Sequence, residues 1–295
     1  MKAKEIASFL KAEIIGDPMK EVTKPGYLHT AKSDELTYCF LKDYAKDLEA
    51  ISKTSAGIVI CQKRLKDKLV AMKVKPTLIL SEVPKYDFAR VLEEFFVKET
   101  RGISPSAYID KNVKIGKNVD IHPHAVIYEG TEIGDNVTIR ANAVLGAEGL
   151  DYGRGPKGDL KRIPHMSKLI IQDNVDIGSN TTVQKGMLRP TIIGEGTKIG
   201  PNCDIGHEVR IGKYCIITGM TLIAGATEIG DYTFIAPHST IKNSIKIGRN
   251  VFVGIGSLVI RDVPDETTIV GRPAIEIEKY REQRKRLKEL LGVKS

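Results

Sequence analysis

From Ile193 to Val259 an aliphatic residue returns at every sixth position: Ile193, Ile199, Ile205, Ile211, Ile217, Ile223, Ile229, Ile235, Ile241, Ile247, Val253 and Val259. Four residues after each comes a small or slim side chain, among them Thr197, Cys203, Cys215, Thr221, Thr227, Thr233, Ser239 and Ser257. A helix repeats its apolar face about every 3.6 residues and a strand every second one, so neither produces this beat. A six-residue internal repeat marks a parallel β-helix, in which short strands turn corners and wind the chain into a prism. The aliphatic fills the inside, and the small residue fits beside it at the corner. Gly follows Ile193, Ile199, Ile205, Ile211, Ile229 and Ile247, where tight packing or an unusual backbone angle excludes a Cβ.

The same beat begins earlier, at Ile103, Ile109, Ile115, Ile121, Ile127, Ile133, Ile139 and Leu145, and resumes at Ile171, Ile177 and Val183. Roughly 23 hexads at three per coil give nearly eight coils, a prism roughly 35 to 40 Å long at the strand spacing of a sheet. Between the two runs, Gly146 to Lys168 is rich in Gly and charge and cannot line a prism. It is expected to be an excursion of the kind that carries function on a rigid scaffold. The beat also stumbles at Met187 to Pro190.

Residues 1–101 carry no hexad. Helical stretches at Lys4 to Leu10, Ala45 to Thr54 and Tyr86 to Lys98 alternate with strand-like runs at Leu36 to Leu41, Gly57 to Cys61 and Thr77 to Leu80. This predicts a small α/β domain, followed by a mainly β prism over 102–270 and a basic C-terminal helix over Ile275 to Leu291 within 271–295. The chain of 295 residues is long enough for two cores. No apolar run of about 18 residues is present, so no integral membrane contact is expected. MKAKEIASFL lacks the apolar core of a secretory signal, and four Cys without C-x-x-C spacing suit a reducing compartment, so a cytoplasmic location is expected. The net charge of +8 favours an anionic partner. Nucleic acid is disfavoured, because no basic cluster is interleaved with aromatics.

His207 stands two positions after Ile205, on the outward side of the prism. A neutral imidazole there suits general-base chemistry. Gly225 lies eighteen residues on, one full coil, and so stacks beside His207 at about the 4.8 Å coil spacing. Its amide is unshielded by a side chain and could serve an oxyanion. His165 lies in the excursion. His122, His124 and His238 are out of line with His207.

The hexads resemble those of the left-handed β-helix acyltransferases, which are typically trimers with active sites between adjacent prisms. The whole chain is more narrowly similar to the UDP-3-O-acylglucosamine N-acyltransferases of lipid A synthesis, through ELTYCFLKDYAKDLEAISKTSAGIVI, KRIPH, NVDIGSNTTVQKG and DIGHEVRIG. The resemblance implies a homotrimer whose N-terminal domain binds the uridine of a nucleotide sugar and whose prism acylates an amine. His207 then matches the catalytic histidine and Gly225 the oxyanion glycine. Phe40, Tyr44, His165, Gln184 and Lys185 fall where the acceptor would bind, and Gly219 and Met220 where the donor would. The implied donor is acyl-CoA or an acyl-carrier protein, with no tightly bound cofactor and no metal.

The chain departs from the family pattern at four places around the acceptor. Lys42-Asp43 replaces an Asn-Pro pair, Gln184-Lys185 an Asp-Arg, Gly200-Pro201 an Asp-Asn, and Ser244 a second histidine. GIGSLVIRDVPDETTIVGRPA resembles instead the closing coil of acetyl-CoA-dependent sugar acetyltransferases, in which Arg261 and Arg272 would meet phosphates. An acetyl-CoA-dependent sugar acetyltransferase with a different acceptor is therefore an alternative. A γ-carbonic anhydrase-type metalloenzyme and a non-catalytic trimer are further ones. The first would require three converging His, a set that the spacing does not supply.

Overall fold

The structure, a computed structural model, describes residues 1–97 and 102–292. It divides into two compact units, Met1–Thr100 and Arg101–Ser295. In the first, five strands lie in the order Ile14–Ile15, Thr77–Ser81, Ile58–Gln62, Glu35–Tyr38 and Lys24–Pro25; only the Ile14–Ile15 pairing is antiparallel. Alternate residues of these strands feed two separate cores, as strand geometry requires. Cys39, Val59, Cys61, Leu78 and Leu80 meet Ile51, Leu65 and Leu69 on one side. Leu36, Ile58, Ile60 and Ile79 meet Ala3, Ile6 and Val91 on the other.

The helices are Ala3–Leu10, Tyr44–Lys53, Lys66–Ala71 and Pro84–Phe95. Lys66–Ala71 has no counterpart in the sequence reading, being only six residues long. The predicted end of the last helix at Lys98 lies outside the described residues. The strand expected to reach Leu41 stops at Tyr38. The buried Asp47 carboxylate accepts the Leu41 N–H at 2.7 Å, and Asp43 caps the next helix by accepting from the Lys46 amide, so the chain turns before Leu41 can pair.

The second unit is the prism. Its three faces are parallel sheets of seven, nine and eight strands, with one antiparallel strand, Ala274–Glu276, at the end of the nine-stranded sheet. Inward aliphatics from Ile121 to Val259 are buried at each turn of the beat. Ile103 is half exposed because no coil covers that end. The small residues do more than fit the corner. Thr181, Thr197, Thr227 and Thr233 each donate a hydroxyl to a corner carbonyl about one coil on, which satisfies backbone acceptors that a strand ladder leaves open.

The repeated glycines serve close approach. A Cβ on Gly206 would stand 2.7 Å from the Gly225 nitrogen, and one on Gly194 2.3 Å from the Gly212 oxygen. The left-handed backbone falls two positions later and is taken mostly by non-glycine residues, including Asn202 at φ 56°, Glu208 at 60° and Met220 at 62°, with glycine in that slot at Gly130, Gly196 and Gly256. Asn recurs there at 118, 136, 142, 174, 180 and 250, as the side chain best suited to that region after Gly.

The excursion leaves the prism after Val144–Ala147, forms an antiparallel hairpin of Tyr152–Arg154 with Leu160–Arg162, and rejoins at Leu169–Ile171. It does not hang free. Met166 N–H donates to the Met187 carbonyl and Ser167 N–H to that of Gly186, so it seats on the stretch where the hexad stumbles. The C-terminal helix runs from Ile277 to Leu290, two residues later than predicted, because Ala274–Glu276 first pairs back on Thr268–Gly271. No residue of this helix is buried. No helix among the described residues is long and apolar enough to cross a membrane.

The core predicts its own sensitivity. Ile217 is fully buried, so Ile217→Ala should cost about 2–5 kcal/mol. Urea unfolding should show a lower midpoint at unchanged slope, and a loss below about 1 kcal/mol would contradict interior packing as the source of stability.

Candidate active site

Coil-to-coil register places one corner of the prism in a column. Val183, Ile205, Ile223, Ile241 and Val259 pair in succession. Two residues beyond each stand Lys185, His207, Gly225, Asn243 and Arg261. His207 and Gly225 are thus neighbours across one coil, and Arg261 lies two coils further along.

His207 is half-buried and held at both faces. Its backbone N–H donates to Gln184 Oε1 at 3.1 Å, and its carbonyl accepts from Ala226 at 2.8 Å. Its Nε2 faces Gly225, on which a Cβ would lie only 2.7 Å from that nitrogen. Its Nδ1 is buried without a hydrogen-bond partner among the described residues. Neighbouring Glu208 is no partner for the ring. Its carboxylate accepts the Leu188 and Arg189 amides, at 2.9 and 3.0 Å. Burial pushes that carboxyl up, but the two amides and the Arg189 guanidinium outweigh it and hold it below the usual carboxylate range.

The excursion supplies the remaining wall. His165, with 2% of its surface exposed, sets its ring edge-to-face on His207 with centroids 5.1 Å apart. Gly149, which the sequence reading passed over, lies where a Cβ would meet Gln184 Oε1 at 2.5 Å, His165 Nε2 at 3.0 Å and His207 Cδ2 at 3.2 Å. Lys185 approaches Glu148 at 3.8 Å, and Arg162 pairs with the same carboxylate. The fold therefore brings His165, Gln184, Lys185, His207 and Gly225 together. As one of five glycines between 146 and 158, Gly149 carries no distinct signal in sequence; its importance comes from what the excursion folds back upon.

The other candidates lie elsewhere. Gly219, Met220 and Arg272 belong to the preceding corner: His238 N–H donates to the Gly219 carbonyl, Gly256 N–H to that of Pro237, and Arg272 Nε to that of Gly256 at 2.7 Å. Within one chain the proposed donor residues are thus split between two corners, with only Arg261 on that of His207. Phe40 lines a cleft of about 550 Å³ in the first unit with Tyr27, His29, Tyr38 and Phe88. Tyr44 is absent from that lining and sits at the start of its helix, with the Arg64 guanidinium 5.8 Å from its ring centroid. His122 pairs with Asp120 at 3.0 Å, and His124 and His238 occupy left-handed corners. Buried Cys203 and Cys215 are core filler; burial pushes both thiols up, that of Cys215 to about 11.

The tight fit at Gly225 yields a direct prediction. Gly225→Ala should displace the His207 ring while the prism stays folded. The His207 imidazole NMR signals should move more than those of His122; unaltered His207 signals would show that the corner has room for a methyl.

The family model for the bacterial transferase hexapeptide (six repeats) matches residues 112–147 and 190–225. The UDP-3-O-acylglucosamine N-acyltransferase of Rhizobium meliloti (strain 1021) is 35% identical over 292 residues, covering 84% of this chain and 80% of its own. That of Campylobacter lari is 34% identical, covering 84% and 85%. Among solved structures, a UDP-N-acetylglucosamine acyltransferase from Bacteroides fragilis superposes with a TM-score of 0.50 at 28% identity, covering 62% of this chain and 78% of its own. With these relatives and this architecture, the chain belongs to the family of the UDP-3-O-acylglucosamine N-acyltransferases, left-handed β-helix acyltransferases built of hexapeptide repeats.

Proposed function

We propose that the protein transfers an acyl group from a thioester to the amine of a nucleotide-linked amino sugar, with His207 as general base. The observation that carries this reading is the contact of His207 Nε2 with the open side of Gly225. A neutral amine attacks the thioester carbonyl; Nε2 takes the proton the nitrogen must shed as the C–N bond forms. The Gly225 amide faces the developing oxyanion. The tetrahedral intermediate then collapses, the C–S bond breaks, and the thiolate leaves to be protonated, returning His207 to its neutral form.

The acceptor nucleotide belongs in the first unit. Its cleft beside Phe40 offers Tyr27 and Tyr38 as further stacking rings, which makes these better candidates than Tyr44. The donor is an acyl-CoA or an acyl-carrier protein, and the exposed Arg261 on the His207 corner supplies a cation for its phosphate. The split between Arg261 and the Gly219–Met220–Arg272 corner favours a site completed by a neighbouring copy. A homotrimer is supported further by an outward apolar column on one face, where Ile216, Phe234 and Phe252 stand in register and the two Phe rings stack at 5.2 Å. Ile216 and Phe252 are nearly half exposed in the single chain, a waste of apolar surface that association removes.

Two outcomes follow. Light scattering at micromolar concentration should give three times the chain mass, and a monomer would reject the assembly. In steady-state assays with one thioester and a panel of amino sugars, His207→Ala should lower kcat about 10²- to 10⁴-fold with little change in acceptor KM. A folded variant keeping more than half of wild-type kcat would remove His207 from the mechanism.

A further inference from the structure

Three imidazole nitrogens stand buried at the excursion's seat without a well-formed hydrogen bond among the described residues: both nitrogens of His165, and Nδ1 of His207. Orphaned buried polar atoms are costly, and where a fold keeps them together they ask for an explanation. His165 is nine-tenths and more buried, so it is shut off from solvent and from any acceptor outside. Its ring meets that of His207, and Gly149 lies close against its Nε2.

We propose that His165 is a positioning residue for the transfer: seated edge-on against His207, it fixes the ring of the base and closes the excursion side of the site to water. This rests on the reading of His207 as the base. The excursion then forms part of the catalytic centre. A base held on one face by the coil and on the other by His165 presents Nε2 toward Gly225 in one orientation. Misplacement by about 1 Å is enough to cost about 10²-fold in rate. Gln184 serves the same end from a third direction, through its bond to the His207 amide.

The seat is also sensitive to acid. Burial first, and His207 second, push the His165 imidazole below its ordinary value, with Lys185 in the same sense; the nearby Ile163 backbone and Asp151 act against them without reversing the direction. A group depressed in the folded state binds fewer protons there than when released, so its seating is strongest above the ordinary imidazole value, about 6.5. It weakens as pH falls below that, until the depressed value is reached. Acid therefore loosens the excursion.

The test uses the full-length protein and two substitutions. His165→Ala should fold, lower kcat about 10- to 100-fold and leave acceptor KM within about twofold. His165→Phe restores an uncharged ring against His207 and should recover most of the loss. Hydrogen exchange over residues 148–168, corrected for intrinsic rates, should show protection falling in the wild type between about pH 8 and pH 5.5 and a flat profile in His165→Phe. An Ala variant with wild-type kcat overturns the proposal. So does a raised acceptor KM in both variants, which would put His165 on the acceptor, and so does wild-type protection that ignores pH. If His207→Ala retains activity, the base assignment fails instead, while the exchange profile still reads the His165 contact.

Discussion

Everything in the second unit depends on the inward aliphatic at every sixth position. From Ile121 to Val259 each of these side chains is buried among its counterparts in neighbouring coils, so the interior is a continuous apolar rod with no room for a slipped register. One residue of slip would move the whole apolar set outward, which is the general penalty that fixes strand pairing. Backbone ladders between coils then follow at fixed positions, and hydroxyls such as those of Thr197 and Thr233 satisfy the corner carbonyls that the ladders leave over. Function inherits this rigidity. A residue two places beyond an inward aliphatic has its counterparts directly above and below it.

His207 and Gly225 are neighbours for that reason alone. The prism sets the His207 imidazole beside the Gly225 backbone with no loop between them to tune, and a Cβ at 225 would press on the ring. The finer adjustment comes from segments that break the repeat. The excursion brings His165 and Gly149, and the stretch at 186–190 anchors it through the Gly186 and Met187 carbonyls while Glu208 grips the Leu188 and Arg189 amides. Regular coils give the site its register, and the two interruptions give it a wall.

This division explains what could be read from the chain. The faces of the prism and the His207–Gly225 pairing follow from counting sixes, because one period governs both burial and stacking. The strand ending at Tyr38 instead of Leu41 turned on the single carboxylate of Asp47, whose burial cannot be seen in a linear pattern. The late start of the C-terminal helix turned on a three-residue strand pairing back on its predecessor. The pattern leaves the corner glycines either conformational or steric, and the fold separates the two: close approach falls on the Gly after the inward aliphatic, while the left-handed slot two places on is filled mostly by residues such as Asn202, Glu208 and Met220 and by glycine only at positions such as Gly196 and Gly256. In sequence His165 is an excursion residue placed near the acceptor by resemblance; its burial on His207 is a tertiary fact with no periodic trace.

The account stands on acyl transfer to nitrogen, and the product reports on it most directly. Purified protein is incubated with an acyl thioester and a nucleotide-linked amino sugar whose hydroxyls are free, and the product is examined by tandem mass spectrometry and treated with mild base. The account predicts one equivalent of free thiol per acyl group transferred and an amide on the sugar that survives base. A base-labile ester on a hydroxyl, or free acid with an unmodified sugar, would contradict it.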